Sequence, residues 1–108
     1  PVEPKDDEPE VFVVVEEMPR LIGGLAALAR EIRYPEMAKK AGVEGRVIVS
    51  FVVDETGRVR DAEVVRGIGA GCDAEALRAV ETMRFESGKQ RGQAVSVKMS
   101  LPVTFRLN

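Results

Sequence analysis

The segment Gly67-Ile68-Gly69-Ala70-Gly71 follows an apolar run and precedes a helical pattern, the context in which glycines cradle phosphate. A dinucleotide fingerprint would need a third glycine where Cys72 stands, and Asp73 puts a negative charge where the phosphate would sit. A turn is the better reading. Ser87-Gly88-Lys89-Gln90 fails as a Walker loop, because Met83 replaces the first glycine and Gln90 the Mg²⁺-binding hydroxyl. The chain has no histidine and one cysteine, Cys72, which excludes an intrachain disulfide, a Cys/His zinc site and any His-based triad. Cys72 reads as a small buried hydrophobe ahead of a helix. The pairs Glu16-Glu17 and Asp54-Glu55 read as solvated carboxylates, the second in an exposed turn. These residues build no active site, and no cofactor or metal is expected.

What remains is backbone chemistry, and the elements that would position it. From Val95 to Leu107 apolar and polar residues alternate without a slip: Val95, Val97, Met99, Leu101, Val103, Phe105 and Leu107 on one face, Ser96, Lys98, Ser100, Pro102, Thr104 and Arg106 on the other. Period two predicts a strand with one buried and one wet face. Such a strand would run roughly 40 Å at about 3.4 Å per residue. Pro102 lacks an N–H and marks an edge strand or a bulge. A long amphipathic edge is either blunted against association or open to a partner strand.

The 108 residues suggest one domain, with 44% hydrophobic and 31% charged residues as in ordinary globular proteins. A net charge of −2 gives no field favouring nucleic acid or an anionic membrane. The longest apolar run, Val11 to Val15, falls far short of a membrane helix. The chain starts at Pro rather than Met, so a domain cut from a longer protein is expected. Residues 1–10, with Pro1, Pro4, Pro9 and Lys5-Asp6-Asp7-Glu8, read either as an incidental tail or as the end of a stiff linker, and residues 11–108 as the domain.

Val11 to Glu17 predicts a short strand stopped by Pro19. Gly23-Gly24 opens a helix with Leu25, Leu28, Ala29 and Ile32 on one face. Pro35 starts a second, short helix that Gly42 closes. Gly45 to Val53 and Val59 to Arg66 form a hairpin around Asp54-Glu55-Thr56-Gly57, with a bulge expected near Arg60-Asp61 where the apolar parity shifts. Asp73 is expected to cap a helix running through Met83, and Ser87 to Gln93 to be a loop. The fold class is α+β: an antiparallel sheet of three long strands plus a short N-terminal strand, with helices packed on one face. This order resembles the ferredoxin-like plan of RNA-recognition modules. Those stack bases on strand aromatics, whereas Val47, Ile48 and Val49 are aliphatic and aromatics make up only 5% of the chain.

An ordered set of residues is similar to the C-terminal domain of the TonB energy-transducer family. It comprises Tyr34-Pro35, Ala38, Gly42 and Gly45, then Val47 to Asp54 with Gly57, and Val64-Val65-Arg66-Gly67. Asp73, Ala76, Met83-Arg84-Phe85, Gly88, Gly92, Val95 and Leu101 to Leu107 complete it. Upstream, Val14 to Pro19 with Gly23-Gly24 resembles an extension of Bacteroidetes-like members. Cys72 stands where the family usually has Leu and Met83 where many have Trp. Met37 replaces a basic residue that some members carry, so a salt bridge from there to a transporter plug is not expected. The resemblance implies a non-catalytic periplasmic domain of a protein anchored in the inner membrane. It would bind the TonB box, an extended segment of TonB-dependent outer-membrane transporters, and pass on energy from a proton-driven inner-membrane motor complex. Ser96, Val97, Lys98, Met99, Ser100 and Leu101 are the expected docking edge, with Tyr34 and Pro35 as further partner-binding residues. Val11 to Val15 could lie on that edge and compete. A homodimer pairing through the same strand, or an appended domain of a sensor or peptidase, is the alternative.

Overall fold

The computed structural model describes residues 11–107, so the expected linker at residues 1–10 lies outside the described residues. In chain order the elements are β1 (Val11–Phe12), β2 (Arg20–Leu21), α1 (Gly24–Glu31), α2 (Glu36–Ala41), β3 (Gly45–Val53), β4 (Val59–Arg66), α3 (Cys72–Glu81), β5 (Phe85–Glu86), β6 (Gly88–Gln90) and β7 (Gln93–Phe105).

The β-branched run of β3 makes it the central strand. It pairs antiparallel with β7 in one unbroken register, from Gly45 opposite Phe105 to Val53 opposite Val97. On its other side it pairs with β4, giving the order β1-β7-β3-β4. The predicted bulge is present: the register passes from Ser50 opposite Glu63 to Val52 opposite Arg60, and Asp61 takes φ +51°. Alternation sends Val47, Val49, Phe51 and Val53 to one face, where they meet Val97, Val103 and Phe105 of β7. Leu28 of α1, Ala38 of α2 and Ala76, Ala79 and Val80 of α3 close the core. The fold is α+β with its helices on one face, as expected.

Several local expectations are corrected. Of the predicted first strand, Val11 and Phe12 pair parallel to β7, while Glu17 forms only an isolated antiparallel bridge with Lys89. In α1, Leu28 is buried, but Leu25 is 64% exposed and Ala29 is exposed too. Leu25 occupies the first turn, and the short helix presents only Leu28 squarely to the core. Pro35 precedes α2 as its N-cap, while Gly42 closes it. Asp73 does not cap α3: Gly71 holds that place. Its carboxylate instead accepts hydrogen bonds from the N–H groups of Ile68 and Gly69, at 2.8 and 3.1 Å. The helix ends at Glu81, two positions before the buried Met83. Ser87 to Gln93 is not a loop, because β6 forms a tight hairpin with the start of β7. Arg91 and Gly92 both have positive φ, the geometry of a two-residue turn that matches strand twist.

The β3–β4 turn is organised by Asp54, which is 8% exposed. Its carboxylate accepts from the Thr56 hydroxyl (2.6 Å) and from the N–H groups of Thr56 (2.9 Å) and Arg58 (3.1 Å). Burial pushes this carboxyl up, but those three donors and the nearby Arg60 outweigh it and hold the group below its ordinary range. An acid held low in the folded state contributes stability that is complete above its unfolded value of about 3.9. That stability is lost as pH falls through the folded value. Asp54→Asn is therefore expected to lose about 1–3 kcal/mol at neutral pH. In a series of thermal melts, its deficit against the native chain should shrink as the medium is acidified below about pH 4.

Candidate docking edge

β7 has two margins. β3 fills one of them from Val97 to Phe105. The opposite margin meets β1 at Ser96 and Val97. Among the described residues, no strand pairs with that margin from Lys98 to Phe105.

Pro102 indicates which groups this margin presents. It sits opposite Ile48 inside the unbroken β3 register. A nitrogen without hydrogen is accommodated where it faces away from the ladder. Alternate residues of a strand direct their N–H and C=O groups to the same side. Ser100 and Thr104 therefore offer donors and acceptors to the open margin, and Lys98, whose N–H turns to β1, and Pro102 offer acceptors. Their side chains lie exposed on the helix-free face, while Met99 and Leu101 are half-buried against the core. The site is an unpaired backbone ladder with an apolar flank and a polar flank.

Of the residues expected to dock, Lys98, Met99, Ser100 and Leu101 lie on the open stretch. Ser96 and Val97 do not, because β1 covers them. Ser96 was expected on the wet face, yet it is 4% exposed and its hydroxyl donates to Glu55 Oε1 at 2.9 Å. Tyr34 and Pro35 stand elsewhere. The Tyr34 hydroxyl donates to the Val43 carbonyl, and its ring meets Phe105 edge-on at 5.6 Å between centroids. Burial pushes its phenol up, with Cys72 and Glu44 adding to the effect. Pro35 packs beside Gly71. Tyr34 thus braces the far end of β7 and Pro35 the entry to α3, away from Ser96 to Leu101.

The chemistry-bearing residues set aside earlier are engaged otherwise. The Asp73 carboxylate fills the amides of the glycine turn, and a Cβ on Gly67 would lie 2.1 Å from its Oδ2. Cys72 is fully buried; burial, then Asp73, pushes its thiol up, away from the reactive thiolate. Among the described residues no cluster of His, Cys, Asp or Glu could hold a metal ion.

A family model described as "Gram-negative bacterial TonB protein C-terminal" matches residues 30–107. The chain belongs to the TonB C-terminal family. TonB of Xanthomonas campestris is 32% identical over 77 residues, 70% of this chain and 34% of that protein. TonB of Pseudomonas aeruginosa is 32% identical over 75 residues, 68% of this chain and 22% of that protein. The chain thus spans about a third or less of these curated relatives. The solution structure of the Pseudomonas aeruginosa TonB C-terminal domain superposes with TM-score 0.59 at 31% identity, covering 70% of this chain and 78% of that one. That of the Helicobacter pylori domain gives 0.57 at 27%, covering 75% and 86%. In TonB-family terms, α2 to β7 is the shared part, and β1 and β2 precede the matched residues.

Two features of this TonB-family domain escaped sequence reasoning. The β6–β7 hairpin turns on Arg91-Gly92, which lacks the Asn-Gly or Asp-Gly signature. Its one signal is a glycine two residues ahead of an alternating run. The other is the parallel sense and register of the β1–β7 pairing: Val11 to Val15 was expected on that edge, but a non-local parallel pair has no turn to announce how it aligns.

Proposed function

We propose that this chain is the partner-binding end of a TonB-type energy transducer. It acts in the periplasm, captures the TonB box of a TonB-dependent outer-membrane transporter as an added strand, and passes on energy from a proton-driven inner-membrane motor through the N-terminal side of the protein. The open margin of β7 from Lys98 to Phe105 carries this reading. Family membership supports the assignment of partner and compartment.

Strand addition draws its affinity from the backbone and its selectivity from alternate side chains. Each added ladder bond contributes about 0.5–1.5 kcal/mol net. The handful available on this margin supports a complex on the order of micromolar or weaker. Such weakness suits a connection that must release, and a tether that raises effective concentration compensates for it.

Ser100→Pro tests the reading. By the parity that accommodates Pro102, this proline removes an outward donor and places its ring in the path of an incoming strand, while sparing the β3 ladder. Titration with a synthetic TonB-box peptide is expected to show affinity reduced at least about tenfold, one lost bond plus exclusion. The circular dichroism spectrum should be unchanged. Ser100→Ala, which alters only the side chain, should stay within about threefold of the native value. Native affinity in a folded Ser100→Pro protein overturns strand addition on this margin.

A further inference from the structure

The docking margin is not open over its whole length. We propose that β1 is a plug built into this chain: Val11–Phe12 occupies the Ser96–Val97 end of β7 and must leave before a partner strand can pair with all of it. The inference rests on the docking reading above.

Three observations carry it. Val11 lies opposite Ser96 and Phe12 opposite Val97, on the margin that β3 leaves free. One position on a strand margin accepts one partner, so a peptide reaching Ser96 and Val97 excludes β1. The plug is also short: two residues pair, then Val13 and Val14 swing away from the margin at 66% and 81% exposure. Neither Val11 nor Phe12 belongs to the core cluster. Segments with few buried apolar contacts open at the low end of a protein's local stabilities.

The third observation is that the strap is held separately at its far end. Glu17 exchanges backbone hydrogen bonds with Lys89 at 3.0 and 2.8 Å. The Glu16 N–H donates to Gln90 Oε1 at 3.0 Å, and Glu16 Oε1 accepts from the Arg91 N–H at 2.9 Å. Peeling β1 therefore leaves the chain fastened to β6, close enough to return. Half-buried Phe12 helps line a cleft of about 780 Å³ together with Glu55, Gln90, Arg91, Val95 and Ser96. Departure of the plug exposes that cleft next to the lengthened margin. A ligand that needs a fractionally populated open state binds more weakly in proportion to that fraction. A few weak backbone bonds favouring closure by about tenfold would weaken apparent affinity by about the same factor.

The test uses the full chain carrying Val11→Cys and Ser96→Cys, whose Cα atoms are cross-strand partners. Cys72 is buried and does not compete. With a synthetic TonB-box peptide as probe, the reduced protein should bind at least about tenfold more tightly than the oxidised, locked one. Phe12→Asp, which loosens the plug without a crosslink, should bind about three- to tenfold more tightly than the native chain. Equal affinity of the locked and reduced forms overturns the plug, because the partner then uses only Lys98 to Phe105. If no form binds the peptide, the docking reading fails instead, and hydrogen exchange decides the plug alone. The Lys98 amide, which faces Phe12, should then be slow in the native chain and fast in Phe12→Asp, and equal rates overturn it.

Discussion

Phe51→Ala is expected to destabilise the domain by about 3–5 kcal/mol in urea unfolding, the range for a large aromatic removed from a packed core. Phe51 has no exposed surface and stands in the central strand, opposite Met99 of β7. Its ring lies 5.4 Å from that of Phe85, tilted by 43°. β3 is held on both sides by ladders, so it cannot move inward to fill the void. The lost transfer energy and the residual cavity therefore add. The effect should reach the docking margin, because β7 is carried along most of its length by β3 alone. Leu25→Ala is the informative contrast. That side chain is 64% exposed on α1, and its removal should change stability by no more than about 0.5 kcal/mol. A deficit near 1 kcal/mol for Phe51→Ala would contradict the packing described.

The difference between Phe51 and Leu25 shows how far pattern alone reaches. Alternation in β3 and β7 states which face is buried, and the tertiary structure agrees because one continuous layer of helices lies on that face. The spacing of Leu25, Leu28, Ala29 and Ile32 makes the same kind of statement about α1, but the core touches that helix over little more than one turn. Periodicity reports a stripe, and neighbours decide how much of the stripe is covered. Asp73 illustrates a second limit. An acid at a helix start suits a cap, yet the preceding glycine turn offers two amide donors, and the carboxylate turns back to them.

The docking margin divides in the same way. Its open part was legible, since Pro102 in an alternating run marks an edge by chemistry contained in one residue. Its covered part was legible only as a place: the sequence allows Val11 to Val15 on that edge, but the parallel sense and two-residue extent of the pairing depend on how the chain between positions 12 and 96 folds. Ser96 was misread for a related reason: strand parity places it on the helix-free face, but β1 and Glu55 close over it.

Gly57→Ala should lower stability by about 2–4 kcal/mol, through backbone rather than side-chain packing. Gly57 ends the β3–β4 turn at φ +84°, a conformation that disfavours any residue with a Cβ. Its N–H donates to the Asp54 carbonyl and its own carbonyl accepts the Phe85 N–H, each at 2.9 Å. A Cβ would lie 2.0 Å from the Phe85 carbonyl oxygen, so the turn and β5 must separate. Separation breaks the Phe85–Gly57 hydrogen bond and pulls on a ring packed against Phe51. Gly92→Ala provides the comparison: its φ is +76°, but nothing lies within 4 Å of the added atom. That substitution bears only the left-handed penalty, about 1 kcal/mol. The gap between the two variants, measured by urea unfolding, isolates the contact between turn and β5. Because the neighbouring Glu55 holds Ser96, a displaced turn should also release the Ser96 hydroxyl and loosen the plugged end of β7. Equal losses in the two variants would mean that the turn and β5 are not pressed together.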